Sequence, residues 1–97
     1  MYIRAITFPI QPGKNDEVVR VFQDSVAPIF QKQKGFKVGY LVGDRNTNKA
    51  MSFSLWDTEA DATTMETSGA YKQWTDILAP CLSGPVEGEQ DEVYLQF

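Results

Sequence analysis

Along residues 51–56 apolar side chains alternate with serines, and this period of two is typical of a β-strand whose two faces meet different surroundings. The period then changes. Thr58 followed by acidic residues is typical of a helix start, because its hydroxyl can accept from a free backbone N–H and acids suit the positive end of the helix dipole. The strand is therefore expected to pass directly into a helix, with Trp56 at the junction. We interpret Trp56 as a residue of the core or of a subunit interface in preference to one of a pocket wall.

Three other stretches alternate in the same way and predict strands at residues 2–10, 36–42 and 93–97. The polar segment 44–49 separates the second of these from the strand at 51–56 and predicts a hairpin loop. On the strand at 36–42, Phe36 is expected on the same face as Val38, Tyr40 and Val42, with Leu41 on the opposite face.

Two helices are predicted between the strands. Apolar residues recur at steps of three and four over residues 18–30, with a kink expected at Pro28 and a left-handed end at Gly35. The second helix is expected at about residues 59–78, with a break near Gly69 because glycine costs helix stability.

The element order β-α-β-β-α-β predicts one α+β domain over residues 1–97. We expect the ferredoxin-like arrangement, a four-stranded antiparallel sheet with both helices on one face. The other face then carries apolar residues from several strands, and a contiguous apolar face of that size rarely stays in water. A second copy related by a two-fold axis would cover it, so the sequence predicts an obligate homodimer built sheet against sheet.

Composition narrows the function classes. A net charge of −4 with scattered basic residues argues against nucleic acid as a partner. No apolar run reaches the ~20 residues of a membrane span, and the first residues are typical of a strand and not of a signal peptide, so we expect a cytoplasmic protein. The chain has one cysteine, Cys81, and no histidine, which excludes Ser-His-Asp and Cys-His catalysis and histidine-ligated zinc or haem from this chain alone.

Six short motifs occur in an order and spacing that one family shares: Pro12-Gly13-Lys14, Val26-x-Pro28, Gly35-Phe36-x-x-Gly39, Asp44-Arg45-x-Thr47, the run Leu55 to Asp61, and Ser68-x-x-Tyr71. On these motifs, over essentially its whole length, the chain resembles the antibiotic-biosynthesis-monooxygenase family of the dimeric α/β-barrel superfamily. The resemblance is more specific for the fold than for the activity, because one fold hosts many functions.

The resemblance implies a pocket between sheet and helices. It also implies either a cofactor-independent oxygenase of polycyclic phenols or quinols or a haem-degrading enzyme. The haem-degrading branch uses a histidine and a tryptophan of the second helix, and the corresponding positions here hold Thr75 and Met65. We therefore reject haem degradation and expect neither a cofactor nor a metal.

Cofactor-free oxygenation needs an apolar cavity, a proton acceptor or relay, and donors that stabilise an oxyanion. Tyr71 and Trp74 are three residues apart on one helix and share a face, and Arg4 could stabilise an anion, so these three are the catalytic candidates. The candidates for binding a small apolar or aromatic substrate are Phe8, Phe22, Tyr40, Trp56 and Met65.

Other interpretations stay open. Tyr71 and Trp74 are also typical of packing aromatics with a polar handle, and Arg4 of an interface or ion-pair residue. A non-catalytic ligand-binding or stress-response barrel is the alternative function, since no ionisable group with an obvious activator can be named. An isomerase or dehydratase ranks last, because no carboxylate falls within the apolar helix stripes.

Overall fold

The computed structural model describes residues 1–97 and contains one antiparallel sheet with helices on one face. The strands are β1 (Tyr2–Pro9), β2 (Phe36–Asp44), β3 (Lys49–Trp56) and β4 (Glu87–Glu92), in the order β2-β3-β1-β4. The helices are α1 (Asn15–Val21), a π-helical turn (Phe22–Val26), α2 (Ala27–Gln31), α3 (Glu59–Thr67), α4 (Ala70–Leu78) and a 3₁₀ turn (Ala79–Cys81). The predicted α+β ferredoxin-like fold is confirmed.

Strand register decides which side chains lie beneath the helices. Ile6 pairs with Ser52 and Phe8 with Ala50 on the side of the sheet that the helices cover. The three apolar members of these pairs are buried, as is Trp56 at the end of β3. The core therefore lies between this covered face and the inward stripes of the helices.

Pro28 reshapes the first helical region as expected. Proline has no backbone N–H and its ring crowds the carbonyl four residues earlier, so the regular ladder cannot continue through it. Instead the Ala27 N–H donates to the Phe22 carbonyl, an i to i−5 bond that makes the turn before Pro28 π-helical. Gly35 then ends the region at a φ of 80°, the left-handed conformation predicted for it.

The second helix is broken where the sequence predicts. α3 starts after Thr58, whose hydroxyl accepts from the Asp61 N–H at 3.1 Å. Gly69 has a φ of 83°, which no continuous helix tolerates, and α4 begins at the next residue. The capping and the break are therefore both local effects of residue type.

Two strand predictions are wrong. The last strand covers Glu87–Glu92 and not residues 93–97. β4 runs antiparallel to β1, and Glu92 pairs with Tyr2, the first residue of β1, so the pairing stops there. Beyond it the Val93 N–H donates to the carbonyl of Met1. A register shift between Phe36 and Val38 turns Phe36 towards the helices, where it packs edge-on against Trp56 at a centroid distance of 5.5 Å.

We call the uncovered side of the sheet the open face. Its apolar residues come from β1, β2 and β3 and are Ile3, Ala5, Val38, Tyr40, Val42, Met51, Phe53 and Leu55. Tyr40 is 64% exposed and Val42 41% exposed, so large apolar groups lie uncovered in the single chain. The apolar open face predicted from alternation is therefore present.

No helix in the structure has the length and apolar character needed to cross a membrane.

Candidate functional site

A cavity of about 370 Å³ lies between β2 and the first helical region, and we call it the aromatic cavity. Eight of its twelve lining residues are hydrophobic, a composition that suits an apolar ligand with few polar groups. Phe22 and Phe30 form the helix wall, and Phe36, Leu41 and Ser52 are on the sheet side.

The cavity exists because small residues occupy the covered face of β2 and β3. Gly39 pairs with Ser54, and Leu41 pairs with Ser52, so at three of these four positions little side-chain volume rises from the sheet. The π-helical turn contributes from above, since Phe22 begins it, Ala27 follows it, and both border the cavity. Such turns are frequent at functional sites.

Few polar groups face the aromatic cavity. Ser52 is 3% exposed and lines the cavity, yet its hydroxyl is not among the hydrogen-bonded side chains of the chain. Ser54, equally buried on the same face, accepts from the Trp56 Nε1–H at 2.9 Å. Lys37 at the rim is paired with Asp57 at 2.7 Å. The cavity thus offers the buried Ser52 hydroxyl, the Gln31 amide and the Lys37 cation at its edge.

A second, polar recess of about 210 Å³ lies between β1, β4 and the second helical region, and we call it the Arg4 recess. The Arg4 side chain is buried, donating to Gln90 Oε1 at 3.0 Å and to the Ala62 carbonyl at 3.4 Å. A largely exposed Glu66 lies 3.3 Å from the guanidinium. Arg4 therefore points beneath the helices and pairs with Glu66, which agrees with its alternative interpretation as an ion-pair residue and not with a position on the open face.

Tyr71 covers the same recess, with its ring centroid 5.4 Å from the Arg4 guanidinium carbon. Burial raises the pKa of the Tyr71 phenol above its ordinary value, and the Glu66 carboxylate raises it further, while the Arg4 charge opposes the shift. The phenol therefore remains protonated at neutral pH and is a hydrogen-bond donor, not a base.

We expect the pKa of Tyr71 to make the folded chain less stable in alkali. The folded chain holds the phenol proton of Tyr71 more tightly than the unfolded chain, so protonated Tyr71 contributes to the free energy of unfolding. This contribution is complete below the ordinary tyrosine pKa of about 10 and is lost as the pH rises through the higher pKa of the folded chain. Urea unfolding between pH 8 and 11 should show the stability of the wild type falling relative to Tyr71→Phe. Parallel curves for the two proteins would contradict the assignment.

Trp74 separates the two spaces. Its ring contacts Phe22 and Phe30, which wall the aromatic cavity, at centroid distances of 5.8 and 5.7 Å. It also packs against Tyr71, which lines the Arg4 recess, at a centroid distance of 5.6 Å. The three predicted catalytic residues, Arg4, Tyr71 and Trp74, are therefore brought together, but none of them lines the aromatic cavity.

The predicted substrate-binding residues divide in the same way. Phe22 and Tyr40 border the aromatic cavity, although the exposed Tyr40 ring belongs to the open face. Phe8, Trp56 and Met65 are fully buried in the core and border neither the aromatic cavity nor the Arg4 recess. Sequence reasoning missed Phe30 and Ser52 as lining residues. The available signals were the apolar stripe of the first helix for Phe30 and the alternating serines of β3 for Ser52.

No cluster of three or more histidine, cysteine, aspartate or glutamate side chains has the arrangement to hold a metal ion. Cys81 is buried, and burial raises the pKa of its thiol.

Comparison with known proteins now assigns the family. A family model described as antibiotic biosynthesis monooxygenase matches residues 1–76. The chain belongs to this family. No curated protein sequence matches it. The antibiotic biosynthesis monooxygenase family was the one that the sequence motifs resembled, and that prediction is confirmed.

Solved structures agree with the fold of this family. A monooxygenase from Streptomyces coelicolor, in complex with the ligand nanaomycin D, is similar with a TM-score of 0.82 at 15% identity, over 99% of this chain and 89% of that one. A cofactor-independent oxygenase from Streptomyces nogalater has a TM-score of 0.78 at 16% identity, over 98% and 94% of the two chains. A conserved protein from Methanosarcina mazei reaches 0.74 at 18% identity, over 94% and 91%. At such identities these likenesses establish the fold alone.

Proposed function

We propose that this chain is a cofactor-independent monooxygenase that oxidises a small electron-rich phenol, quinol or polyketide-like aromatic bound in the aromatic cavity. The observation that carries the proposal is that cavity, apolar and walled by phenylalanines, in a chain of the antibiotic biosynthesis monooxygenase family. The oxygenases of similar fold from two Streptomyces species support it as relatives in structure.

The reaction balances without an external reductant. A ring CH₂ flanked by electron-rich carbons, as in an anthrone, loses one proton, and its carbanion donates an electron to O₂. The two radicals join through a C–O bond, and the resulting peroxide anion takes up a proton from solvent. The resulting hydroperoxide loses water to leave a carbonyl, so that one oxygen atom enters the substrate and the other leaves as water, with all electrons supplied by the substrate.

The cavity residues support this chemistry by binding and by charge. Phe22, Phe30 and Phe36 provide apolar ring surface that excludes water from the carbanion. The Lys37 ammonium lies at the rim, where it attracts an ionised phenol even though Asp57 shares its charge. No carboxylate or histidine lines the cavity, so the substrate proton leaves through the open rim to solvent.

Oxygen consumption with a panel of naphthols, anthrones and hydroquinones tests the proposal, in the presence of a chelator and without flavin. We expect turnover above the uncatalysed rate for at least one member and one atom from ¹⁸O₂ in its product. Rates equal to background across the panel would reject the oxygenase function. The Tyr71→Phe variant tests which of the two spaces holds the reaction. Turnover stays intact if the reaction occurs in the aromatic cavity and falls if the Arg4 recess takes part.

A non-catalytic role in binding small apolar or aromatic ligands is the second candidate. It is favoured by the absence of a carboxylate or histidine from the cavity wall, where Lys37 is the one charged residue. Under this alternative the panel binds with measurable affinity but consumes no oxygen.

We also propose that the chain forms a homodimer through the open face. Apolar residues of three strands lie uncovered there, and a second copy would bury them. The acidic residues Glu87, Glu89 and Asp91 on β4 mark one edge of this face, so the apolar contact would centre on β2 and β3.

Replacing Val42 with glutamate should dissociate this dimer, because a carboxylate would have to be buried against the apolar face of the partner. Val19→Glu is the matched control, since Val19 on α1 is 48% exposed and Val42 is 41% exposed, but Val19 lies on the helix side. We expect sedimentation at micromolar concentration to give a dimer for the wild type and Val19→Glu and a single-chain mass for Val42→Glu. A folded wild-type monomer at that dilution would reject the dimer.

A further inference from the structure

The hydroxyl of Ser52 lines an apolar cavity and has no hydrogen-bond partner within the chain. Ser52 lies in the middle of β3, pairs with Leu41 of β2 and Ile6 of β1, and is 3% exposed. No buried side-chain nitrogen or oxygen of the chain is sealed away without a partner, so the Ser52 oxygen opens onto the space it lines. A polar group in this position gains most from a ligand that can hydrogen-bond to it.

The neighbouring serine shows what a purely structural serine does on this face. Ser54 has the same exposure of 3%, two residues further along β3, and its oxygen accepts from the Trp56 indole N–H. That hydrogen bond fixes a core side chain and leaves Ser54 off the cavity wall. The two serines therefore share burial, strand and face, and differ in whether the hydroxyl is used within the chain.

We propose that the Ser52 hydroxyl binds the oxygen substituent of the aromatic ligand, so that the cavity selects hydroxy- and oxo-substituted rings over the corresponding hydrocarbons. This inference rests on the proposed function only in taking the aromatic cavity as the ligand site. A ring held between the phenylalanines of the helix wall and Leu41 brings its edge towards the floor of the sheet, where Ser52 is the one hydroxyl among the lining residues of β3. The hydrogen bond then fixes which edge of the ring faces the sheet and which faces the rim.

Serine suits this role because its hydroxyl both donates and accepts. It can donate to a quinone or phenolate oxygen and accept from a phenol. A hydrocarbon of the same shape would leave the hydroxyl unpaired in an apolar space, and this lost pairing is the source of the selectivity.

The test compares 2-naphthol with naphthalene, under argon so that no oxidation intervenes, by titration of the ¹⁵N-labelled full chain followed by NMR. We expect the wild type to bind 2-naphthol about 3- to 10-fold more tightly than naphthalene, with the largest amide shifts near Leu41 and Ser52. Ser52→Ala should reduce this ratio to near one, mainly by weakening 2-naphthol. Ser52→Thr keeps the hydroxyl and should keep the preference.

Ser54→Ala is the matched control. It removes a hydroxyl of equal burial that serves Trp56, so it should lower stability and leave the ligand preference unchanged. A preference that survives in Ser52→Ala, or a wild type that binds neither compound at the aromatic cavity, would overturn the assignment of Ser52. Selective binding that depends on Ser52 without oxygen consumption by any compound of the panel would support the assignment and reject only the oxygenase reaction.

Discussion

Replacing Trp74 with alanine should lower the free energy of unfolding by about 3–5 kcal/mol, since truncation of a buried tryptophan removes its transfer free energy and leaves a cavity. Trp74 is 1% exposed and its ring meets four aromatic rings, with centroid distances from 5.6 to 6.4 Å. Small domains have about 5–15 kcal/mol of stability in total, so the variant would be close to unfolding at room temperature. Urea denaturation followed by far-UV circular dichroism measures the change.

Gln73→Ala is the control for Trp74→Ala. Gln73 is the preceding residue of α4 and is exposed, so its truncation should change stability by no more than about 0.5 kcal/mol. A loss below about 1 kcal/mol for Trp74→Ala would mean that the aromatic cluster between the two spaces is loosely packed. The support that Trp74 gives to the Phe22 and Phe30 walls would then also fail.

The second large effect is expected at Gly35, between the first helical region and β2. Its φ of 80° is in the left-handed region, which costs a residue with a side chain about 1–2 kcal/mol. A Cβ built there would also overlap the carboxylate of Asp61 on α3. Such overpacking typically costs a further 1–3 kcal/mol, so we expect Gly35→Ala to lose about 2–5 kcal/mol in thermal or urea unfolding.

Gly69→Ala separates the two causes. Gly69 has a φ of 83°, and a Cβ built there meets nothing within 4 Å, so only the backbone cost of about 1–2 kcal/mol applies. Asp61→Gly combined with Gly35→Ala should recover the steric part of the loss, because the overlap involves the Cβ of Asp61 as well as its carboxylate. Equal losses for Gly35→Ala and Gly69→Ala would show that Asp61 moves aside without cost.

Local structure was predicted well because its causes are local. The Thr58 hydroxyl that caps α3, the left-handed Gly35 and the break at Gly69 each depend on one residue type and its immediate neighbours. The irregular turn before Pro28 follows in the same way from a missing N–H. The last strand was misplaced because β4 is an edge strand held by backbone pairing to β1, and exposed polar side chains suffice for that.

The candidate site was only half predicted. Hydrophobic periodicity identified the large aromatics, and Phe22, from the apolar stripe of the first helix, does wall the aromatic cavity. The residues that create the space are small, and the absence of side-chain volume at Gly39 or Ser52 has meaning only when the facing helix is known. The same limit applied to Phe36, because a one-residue register shift in β2 reversed the face of its ring.

The sequence by itself determined the order of strands and helices, their caps and breaks, the apolar open face and the membership of a family, because these depend on residue type and short-range periodicity. Only the tertiary structure decided that Arg4 and Tyr71 share one recess while Phe30 and Ser52 line another, with Trp74 between them. The physical reason is that a cavity is the volume left over when distant segments pack, and it depends on strand register and helix position together.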